Sequence, residues 1–304
     1  MPSGKGQRSF KRLVVLAMAV SLIFFTYGVL LSLNNLPVDR ASDKLVGWHH
    51  ERVADERCAL LFFGLPKHLK DISLPSIRKY IMKANPNCDV YAHTYSVVSI
   101  SNKRNGEESS PIHPEDIYSL TKEHAIDSEA DFLIAHNLSY YRNLFPYEEP
   151  WVYPTSMDNM IKQWHSISQV WKLMEASEVD YHRVGLFRLD VLYVHEISIT
   201  GREDVAVVPN FLKSGGMNDR MFYGRRDNAE VWATKRFDLA QSYIDRYQDR
   251  GLHSEKFMEF LMRNIPVEEK SICFHRVRGT GKINKDCSLG FFNDLKTSIF
   301  GYSI

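Results

Sequence analysis

The amino-acid sequence predicts an α/β domain with a mainly parallel sheet, preceded by one transmembrane helix. Three observations lead to this prediction: an uncharged run at residues 13–33, a short polar segment after it, and a strand–helix–strand pattern at the start of the remaining chain. Strands that alternate with helices pair in parallel, because the connecting helix returns the chain to the edge where the first strand began.

The uncharged run from Leu13 to Leu33 is long enough to span a bilayer as a helix. It is preceded by Lys5, Arg8, Lys11 and Arg12. The positive-inside bias makes residues 1–12 a cytoplasmic tail. A cleaved signal peptide is the alternative, but its apolar core is usually about 7–15 residues and ends at a small-residue cleavage site. We therefore expect a type II signal-anchor in the Golgi or ER membrane, a stem at 34–56 and a lumenal domain at 57–304.

The cysteines and one glycosylation sequon fit a lumenal domain. The cysteines all follow the anchor, at Cys58, Cys88, Cys273 and Cys287. An even number in an oxidising compartment permits two disulfides with three connectivities. Cys58 and Cys88 open apolar runs, so buried free thiols are equally compatible with the pattern. Asn137 begins an Asn-Leu-Ser sequon and is the expected glycosylation site.

Composition and missing motifs exclude several classes of function. The net charge is +1 and no basic stripe is present, which argues against nucleic-acid binding. Aromatic residues make up 12% of the chain, so a folded core is expected rather than disorder. The sequence contains no GxGxxG, P-loop, HExxH or GxSxG pattern. The turn at 63–67 also lacks the hydroxyl and glycine content of a sulfotransferase phosphosulfate loop.

The domain opens with a predicted βαβ unit. Cys58–Phe63 is a continuous apolar run that stops at Gly64-Leu65-Pro66, as a buried strand would. Residues 73–84 have apolar side chains at helical spacing, and Cys88–Tyr95 is the second strand. The later predicted elements are an exposed loop at 99–112, strands at 131–135, 183–195, 205–209 and 271–278, and helices at 156–176, 228–247 and 254–263.

A charged pair interrupts one of these strands. Arg188 and Asp190 lie two residues apart in an apolar run and therefore share one face. An ion pair at a sheet edge is one explanation. The other is a ligand site at the strand's carboxyl end, where Asp190 binds a divalent cation or a ribose hydroxyl and Arg188 orients it or meets a phosphate.

Three other segments are candidates for the same site. Gly215 and Gly216 precede Asn218 and Asp219 in a tight polar loop, which is either a connecting turn or an acceptor-side loop. Glu255 follows a helix start, where a carboxylate partners the helix dipole or acts as a base. The third candidate combines the cations Arg276, Arg278 and Lys282 with a glycine-rich turn, which suits either a pyrophosphate or a solvated basic surface.

The order of these segments resembles a known family. The chain is similar to a divergent glycosyltransferase-like family related to the GT-A nucleotide-diphospho-sugar transferases in the succession ALLFFGLPK, LPSIRKYI, NCDVYAHTY, QWHSISQVWKLM, GLFRLDVLY, GGMNDRMFYG and HSEKFMEFLM. The similarity runs from about Arg57 to Asp286. It implies a single Rossmann-like GT-A domain and a nucleotide-sugar donor, with Phe63, Gly64 and Lys67 beside the nucleotide. The implied acceptor is a glycan or glycoprotein.

The resemblance also implies roles for the candidate residues. The family's Asp-x-Asp metal motif is absent, and Arg188-Leu189-Asp190 occupies its place with one carboxylate. A Mn²⁺ or Mg²⁺ ion would therefore be held by Asp190 alone. The cations Arg276, Arg278 and Lys282 would then stabilise the negative charge of the pyrophosphate. Asp219 or Glu255 would be the catalytic base, and Asp219 is favoured.

Two further expectations concern the whole protein. The runner-up function is a non-catalytic lumenal glycosyltransferase-like protein that binds or organises partners, which the missing first carboxylate favours. Tethering to a membrane raises effective concentration and so favours weak association into a homodimer.

Overall fold

The structure is a computed structural model that describes residues 57–144, 152–201 and 205–288. The predicted tail, transmembrane helix and stem at 1–56 lie outside these ranges. Within them, no helix is both long and apolar enough to cross a bilayer.

The strands in chain order are β1 (Cys58–Phe63), β2 (Cys88–Tyr95), β3 (Ser99–Asn102), β4 (Glu107–Pro111), β5 (Glu123–Asp127), β6 (Arg183–Arg188), β7 (Val191–Tyr193), β8 (Ala206–Pro209), β9 (Phe222–Arg225), β10 (Val267–Lys270), β11 (Phe274–Val277) and β12 (Ile283–Asn284). The helices are α1 (Leu74–Ile77, extended by wider turns at Leu69–Ser73 and Arg78–Met82), α2 (Glu129–Ala135), α3 (Leu138–Asn143), α4 (Thr155–Glu175), α5 (Arg226–Thr234), α6 (Arg236–Arg246) and α7 (Ser254–Leu261). Short 3₁₀ turns lie at Lys103–Asn105 and Pro114–Ser119.

A seven-stranded sheet organises the domain in the order β10-β8-β9-β6-β1-β2-β5. Neighbouring strands pair in parallel except at β9, which runs antiparallel to both β6 and β8. A smaller antiparallel sheet has the order β12-β11-β7, and β3 and β4 form a hairpin. The predicted α/β class with a mainly parallel sheet is confirmed.

The βαβ unit has the predicted parallel pairing. Cys58 lies opposite Cys88 at the start of the two strands, and Phe63 lies opposite His93 near their ends. This register brings the first two cysteines together as a disulfide, and Cys273 pairs with Cys287. The alternative of buried free thiols therefore does not apply.

β1 is apolar throughout because it is covered on both faces. Leu60 and Phe62 belong to the core cluster on one side, whereas Leu61 and Phe63 belong to the cluster on the other. Successive side chains of a strand point to opposite faces, so this alternation follows from the period of two. Helix α4 covers the second face with Trp171. A buried Leu or Phe side chain stabilises the fold by about 1.5–3 kcal/mol.

The predicted strand at 131–135 is wrong, because this segment is part of helix α2. Ser128 caps the helix: its Oγ accepts the Asp131 N–H at 3.1 Å, and Asp131 Oδ2 accepts the Ser128 N–H at 3.2 Å. Such a capping box fixes a helix start, which outweighs the short apolar run. Leu133 and Ile134 are accordingly 56% and 85% exposed, whereas a central strand would bury them.

Other boundaries also differ from the prediction. The loop expected at 99–112 is the β3–β4 hairpin, and the strand at 183–195 divides into β6 and β7 around Asp190. The helix expected at 228–247 divides into α5 and α6 at Lys235. Strands β5 and β10 went unpredicted because their sequences, EHAID and VEEK, are short and polar.

Candidate active site

Several of the predicted site residues lie at the carboxyl edge of the large sheet. Gly64 follows the end of β1, and Arg188 ends β6 in register with Phe63. Asp219 precedes β9, which runs against its neighbours, so the start of β9 rather than its end reaches this edge. Parallel sheets bind ligands at this edge, where strand ends and loops expose polar groups around a rigid scaffold.

Arg188 and Asp190 form a two-pronged ion pair. Arg188 Nε donates to Asp190 Oδ1 at 2.8 Å and Arg188 Nη2 donates to Oδ2 at 2.9 Å. Burial opposes ionisation of Asp190, but Arg188 outweighs it, so the pKa of Asp190 lies below its usual value. Both carboxylate oxygens are used by Arg188. The ion pair, one of the two explanations that the sequence offered, is therefore present at the end of β6, and the ligand site at this strand end stays a prediction.

Gln163 of helix α4 connects this pair to Asp219. Its Oε1 accepts from Arg188 Nη1 at 3.1 Å, and its Nε2 donates to the Asp219 carbonyl at 3.0 Å. The Ser254 hydroxyl donates to Asp219 Oδ2. Burial opposes ionisation of Asp219, but the charge of Arg220 and the hydrogen bond from Ser254 outweigh it, so the pKa of Asp219 is lowered. Asp219 is therefore an ionised carboxylate held in place from several sides.

Arg220 joins Asp219 to Glu255. Its Nη1 lies 3.0 Å from Asp219 Oδ1, and its Nη2 donates to Glu255 Oε1 at 2.9 Å. Burial and the neighbouring Asp219 charge raise the pKa of Glu255 despite this bond. His253 Nδ1 lies 3.3 Å from Glu255 Oε2, and burial lowers the pKa of His253 to about 4. A neutral imidazole therefore stands beside a carboxylate that binds protons more readily than usual.

The glycine-rich loop before β9 is shaped by its contact with helix α7. Met217 N–H donates to the Glu255 carbonyl at 2.8 Å. A Cβ at Gly216 would stand 2.2 Å from that carbonyl oxygen, so only glycine allows this approach. Asn218 holds the turn, because its Oδ1 accepts the Arg220 N–H at 2.9 Å and its Nδ2 donates to the Phe211 carbonyl at 2.7 Å. The Gly-Gly-Met-Asn-Asp sequence thus positions Asp219.

Lys67 belongs to a second ion pair beside this network. Its Nζ donates to Glu107 Oε1 at 2.9 Å, and the Gly279 N–H donates to the same oxygen at 2.6 Å. Burial opposes ionisation of Glu107, but Lys67 and this backbone bond lower its pKa. Glu107 is 2% exposed. Sequence reasoning missed it because it placed the segment in an exposed loop, and no local pattern marks it.

The three cations predicted near the pyrophosphate have different surroundings. Arg276 is paired to Asp286 through two bonds, at 2.9 and 2.7 Å, so its charge is neutralised locally. Lys282 is exposed at the end of the glycine-rich turn. Arg278 is half-buried, and its charge helps to lower the pKa of Asp190. The charge of Arg278 thus acts on the Arg188–Asp190 pair, whereas that of Arg276 is engaged by Asp286 and Lys282 faces solvent.

The residues expected beside the nucleotide also have different surroundings. The Phe63 side chain is fully buried and packs against Trp232, with ring centroids 6.1 Å apart. Gly64 lies at the edge, with a φ of +99° that favours glycine, and its N–H donates to Ser166 Oγ at 2.9 Å.

The sequon residue Asn137 is exposed and caps α3, where its Oδ1 accepts the Tyr140 N–H at 3.2 Å.

Sequence reasoning also missed a histidine cluster at the same edge. Asp127 Oδ2 lies 2.7 Å from His165 Nε2 and 3.3 Å from His93 Nε2. The neighbouring His93 and His165 together lower the pKa of Asp127 to about 2, against the effect of burial. Burial lowers the pKa of His136, which contacts His165, to about 4. Helix α4 supplies Gln163, His165 and Ser166 to the edge, whereas its apolar periodicity indicated only core packing.

No family model matches the chain, and no curated protein matches it. Among solved structures it resembles mouse xyloside xylosyltransferase 1 in its apo form, with 13% identity, a TM-score of 0.37, and coverage of 70% of this chain and 85% of that one. It also resembles the galactosyltransferase LgtC in complex with donor and acceptor sugar analogues, with 9% identity, a TM-score of 0.36, and coverage of 69% of this chain and 72% of that one. For an active-site mutant of LgtC, the identity is 10%, the TM-score is 0.35, and the coverage is 69% of this chain and 71% of that one. These structures are glycosyltransferases. The TM-scores describe a distant likeness of fold alone.

Proposed function

We propose that the chain is a membrane-anchored glycosyltransferase that moves a sugar from a nucleotide-diphosphate donor to a glycan or glycoprotein hydroxyl. One observation carries the proposal. A continuous polar network at the carboxyl edge links the Arg188–Asp190 pair, through Gln163, to Asp219 and Glu255. The network combines cations for an anionic leaving group with a carboxylate suited to accept a proton.

Glu255 is the proposed base. In sugar transfer with inversion, the acceptor oxygen bonds to the anomeric carbon while the bond to the diphosphate breaks, and the hydroxyl proton must go to a nearby base. A raised pKa suits Glu255 to this role. Asp219 is the base that the sequence analysis favoured, but its pKa is lowered and it accepts a hydrogen bond from the Ser254 hydroxyl. We therefore assign Asp219 to positioning Arg220 and Ser254.

The leaving diphosphate is assigned to protein cations. Lys67 and Arg188 stand beside Gly64 at the edge, and each is held by a carboxylate that the donor's phosphates would compete with. Arg278 adds a third charge nearby. Fixed cations that face a developing negative charge stabilise the transition state without reorganisation.

Asp190 fits Mn²⁺ or Mg²⁺ poorly. These ions need several oxygen ligands, and Asp190 offers one carboxylate whose two oxygens already accept from Arg188. Binding would also place the ion against a guanidinium. The proposed reaction therefore relies on protein cations at this position.

The membrane anchor and the lumenal location belong to the same proposal. The uncharged run at 13–33 supports a signal-anchor. The Cys58–Cys88 and Cys273–Cys287 disulfides support an oxidising compartment such as the Golgi or ER lumen. Glycans and glycoproteins are the acceptors that such a location offers.

A titration of the full-length chain tests the proposal. UDP- and GDP-linked sugars are titrated by calorimetry with and without Mn²⁺, and release of nucleoside diphosphate is followed with a panel of glycans. We expect one donor to bind in both conditions, and Asp190→Ala to abolish turnover while the exposed Asp227→Ala leaves it unchanged. Absence of binding by every nucleotide in both conditions would instead indicate a glycosyltransferase-like binding or scaffold protein.

A further inference from the structure

The histidine cluster at the carboxyl edge draws on three separate elements. His93 lies near the end of β2, Asp127 ends β5 and His165 lies within helix α4. One nitrogen or oxygen of each side chain lies within 4.8 Å of the others. Among the described residues, the only other cluster of this kind contains Cys273 and Cys287, whose sulfurs form a disulfide and offer no thiolate.

Both imidazoles direct the same nitrogen at Asp127. His165 Nε2 lies 2.7 Å from Asp127 Oδ2, and His93 Nε2 lies 3.3 Å from the same oxygen. The opposite nitrogens have partners outside the cluster: His93 Nδ1 contacts Ser166 Oγ at 2.8 Å, and His165 Nδ1 contacts His136 Nε2 at 2.8 Å. Metal-binding histidines use one nitrogen for the ion and the other for such an orienting contact.

Ser166 orients the ring of His93. Its Oγ lies 2.8 Å from His93 Nδ1 and 3.3 Å from the His93 carbonyl oxygen, and it accepts the Gly64 N–H at 2.9 Å. A neutral imidazole has one donor and one acceptor nitrogen. When Nδ1 donates to Ser166, the lone pair of Nε2 faces the Asp127 carboxylate and is available to a metal ion.

The nitrogen of His93 that faces Asp127 is buried. His93 is 0% exposed, and its Nε2 makes no well-aligned hydrogen bond among the described residues, although Asp127 Oδ2 lies 3.3 Å away. Buried polar atoms normally have a partner. Two arrangements supply one: a proton on Nε2 that is shared with Asp127, or a metal ion held between the three side chains. Two imidazoles that direct Nε2 at the same carboxylate oxygen from separate elements are the arrangement of ligands that a metal ion needs.

The ligand types select the class of ion. Two imidazole nitrogens and one carboxylate oxygen suit Zn²⁺, whereas Mg²⁺ and Ca²⁺ prefer oxygen alone. With bonds of about 2.0–2.2 Å in tetrahedral geometry, adjacent ligand atoms lie roughly 3.3 Å apart. The His93 contact already has this spacing, and the His165 contact needs to open by roughly half an ångström. The Asp127 side chain is 26% exposed, so a fourth ligand could come from solvent.

We propose that His93, Asp127 and His165 bind Zn²⁺ or an ion of the same class. The site is separate from Asp190 and from the proposed donor cations. Its role is to tie β2, β5 and α4 together and to fix Ser166, which holds the Gly64 turn of the candidate active site. His136 is a positioning residue that orients His165.

Metal binding by the full-length chain tests this inference without any nucleotide or sugar. After chelator treatment, the protein is titrated with Zn²⁺ and Mg²⁺ by calorimetry, and with Co²⁺ by visible absorption. We expect one Zn²⁺ per chain with at least about 100-fold preference over Mg²⁺, and a Co²⁺ spectrum typical of tetrahedral geometry. Absence of stoichiometric Zn²⁺ binding by the wild-type chain would overturn the inference and leave a protonated histidine network.

Variants locate the ion. Asp127→Asn and His165→Gln should lose the stoichiometric site, and His136→Gln should weaken it about 10–100-fold, as removal of an orienting partner does. The exposed His113→Gln is the matched control and should bind as the wild type does. Circular dichroism confirms that each variant is folded, and equal Zn²⁺ affinity in the wild type and folded Asp127→Asn would refute the assignment. Failure of nucleotide binding in a chain that binds Zn²⁺ would reject the proposed function alone.

Discussion

At the scale of single residues, one guanidinium contacts two carboxylates that differ in their affinity for protons. Arg220 lies against both Asp219 and Glu255, yet the pKa of Asp219 is lowered and that of Glu255 is raised. The difference arises because Asp219 also accepts the Ser254 hydroxyl, whereas Glu255 is buried next to the charge of Asp219. Environments that separate two pKa values in this way assign different roles to chemically similar groups.

Substitution of Glu255 by Gln should remove the base without removing volume. We expect kcat to fall by about 10²–10⁴-fold, the usual contribution of general base catalysis, with donor affinity little changed. In the wild type, activity should fall as the pH drops through the raised pKa of Glu255, because the base must be ionised. Steady-state kinetics across pH measures both effects.

The matched control is Glu259→Gln, four residues further along helix α7 and exposed. It should retain wild-type kinetics and pH dependence. If Glu255→Gln and Glu259→Gln lowered kcat equally, the assignment of the base would be wrong.

The buried His253 should make stability depend on pH. Burial lowers its pKa from 6.5 to about 4, so the unfolded chain takes up a proton at a pH where the folded protein does not. The stability that His253 contributes is complete above about pH 6.5 and is lost as the pH falls towards 4. Chemical denaturation over this window should show a declining free energy of unfolding, with a shallower decline in His253→Gln. The exposed His113→Gln should keep the wild-type slope.

The site residues that could be predicted from sequence are those with a local signal. Arg188 and Asp190 stood out because they interrupt an apolar strand, and Asp219 because it follows two glycines. Glu107 and His93 could not be found in this way. Their partners are 40 and 73 positions away in the sequence, so the contacts exist only after the chain has folded.

At the scale of elements, polar contacts at helix ends decide structure where apolar patterns are ambiguous. The segment 131–135 has the composition of a strand, but the Ser128–Asp131 capping box makes it helix α2. Long periodic segments such as α4 were predicted nearly to the residue, whereas short polar strands such as β5 and β10 were not. These strands form because a neighbouring strand supplies their hydrogen bonds, and a single segment carries no signal of that.

Replacement of Ser128 by Ala should weaken the start of α2. Loss of an N-cap side chain costs about 1 kcal/mol, and we expect this decrease in the free energy of unfolding. The exposed Ser96→Ala is the control and should change it by less than about 0.5 kcal/mol. Urea denaturation of both variants measures the difference, and equal stabilities would argue against the cap.

A methyl group at Gly216 should disturb the contact between the β8–β9 loop and helix α7. The added Cβ would stand 2.2 Å from the Glu255 carbonyl oxygen, so loop or helix must move. We expect Gly216→Ala to cost about 1–3 kcal/mol and to lower activity, because the shift moves Glu255 relative to Arg220.

The control for this change is Gly201→Ala. No described atom lies within 4 Å of a Cβ at Gly201, so the same methyl group should be tolerated there. Thermal unfolding and turnover assays of the two variants give the comparison. Normal stability in Gly216→Ala would show that the loop approaches the helix less closely than the structure indicates.

At the scale of the whole molecule, two disulfides constrain different parts of the chain. Cys58–Cys88 closes a loop of 30 residues across the βαβ unit, and Cys273–Cys287 closes a loop of 14 residues near the small sheet. A disulfide limits the unfolded chain more strongly when its loop is longer. The two bonds should therefore differ in their contribution to stability.

Paired alanine variants measure this difference. Replacement of Cys58 and Cys88 should lower the free energy of unfolding by about 2–4 kcal/mol. Replacement of Cys273 and Cys287 should cost about 0.6 kcal/mol less, since its loop is about half as long. A larger loss from the second pair would contradict this account.

The reversed direction of β9 has a consequence for how the protein can diversify. β8 ends and β9 begins at the same edge of the sheet, so the intervening residues 210–221 leave the scaffold and return to it at one place. Insertions or deletions near the tip of this loop can alter the protein surface beside Glu255 while the register of the strands is preserved. Relatives that recognise different acceptors could therefore share the same sheet and differ mainly in the length and sequence of the loop at 210–221.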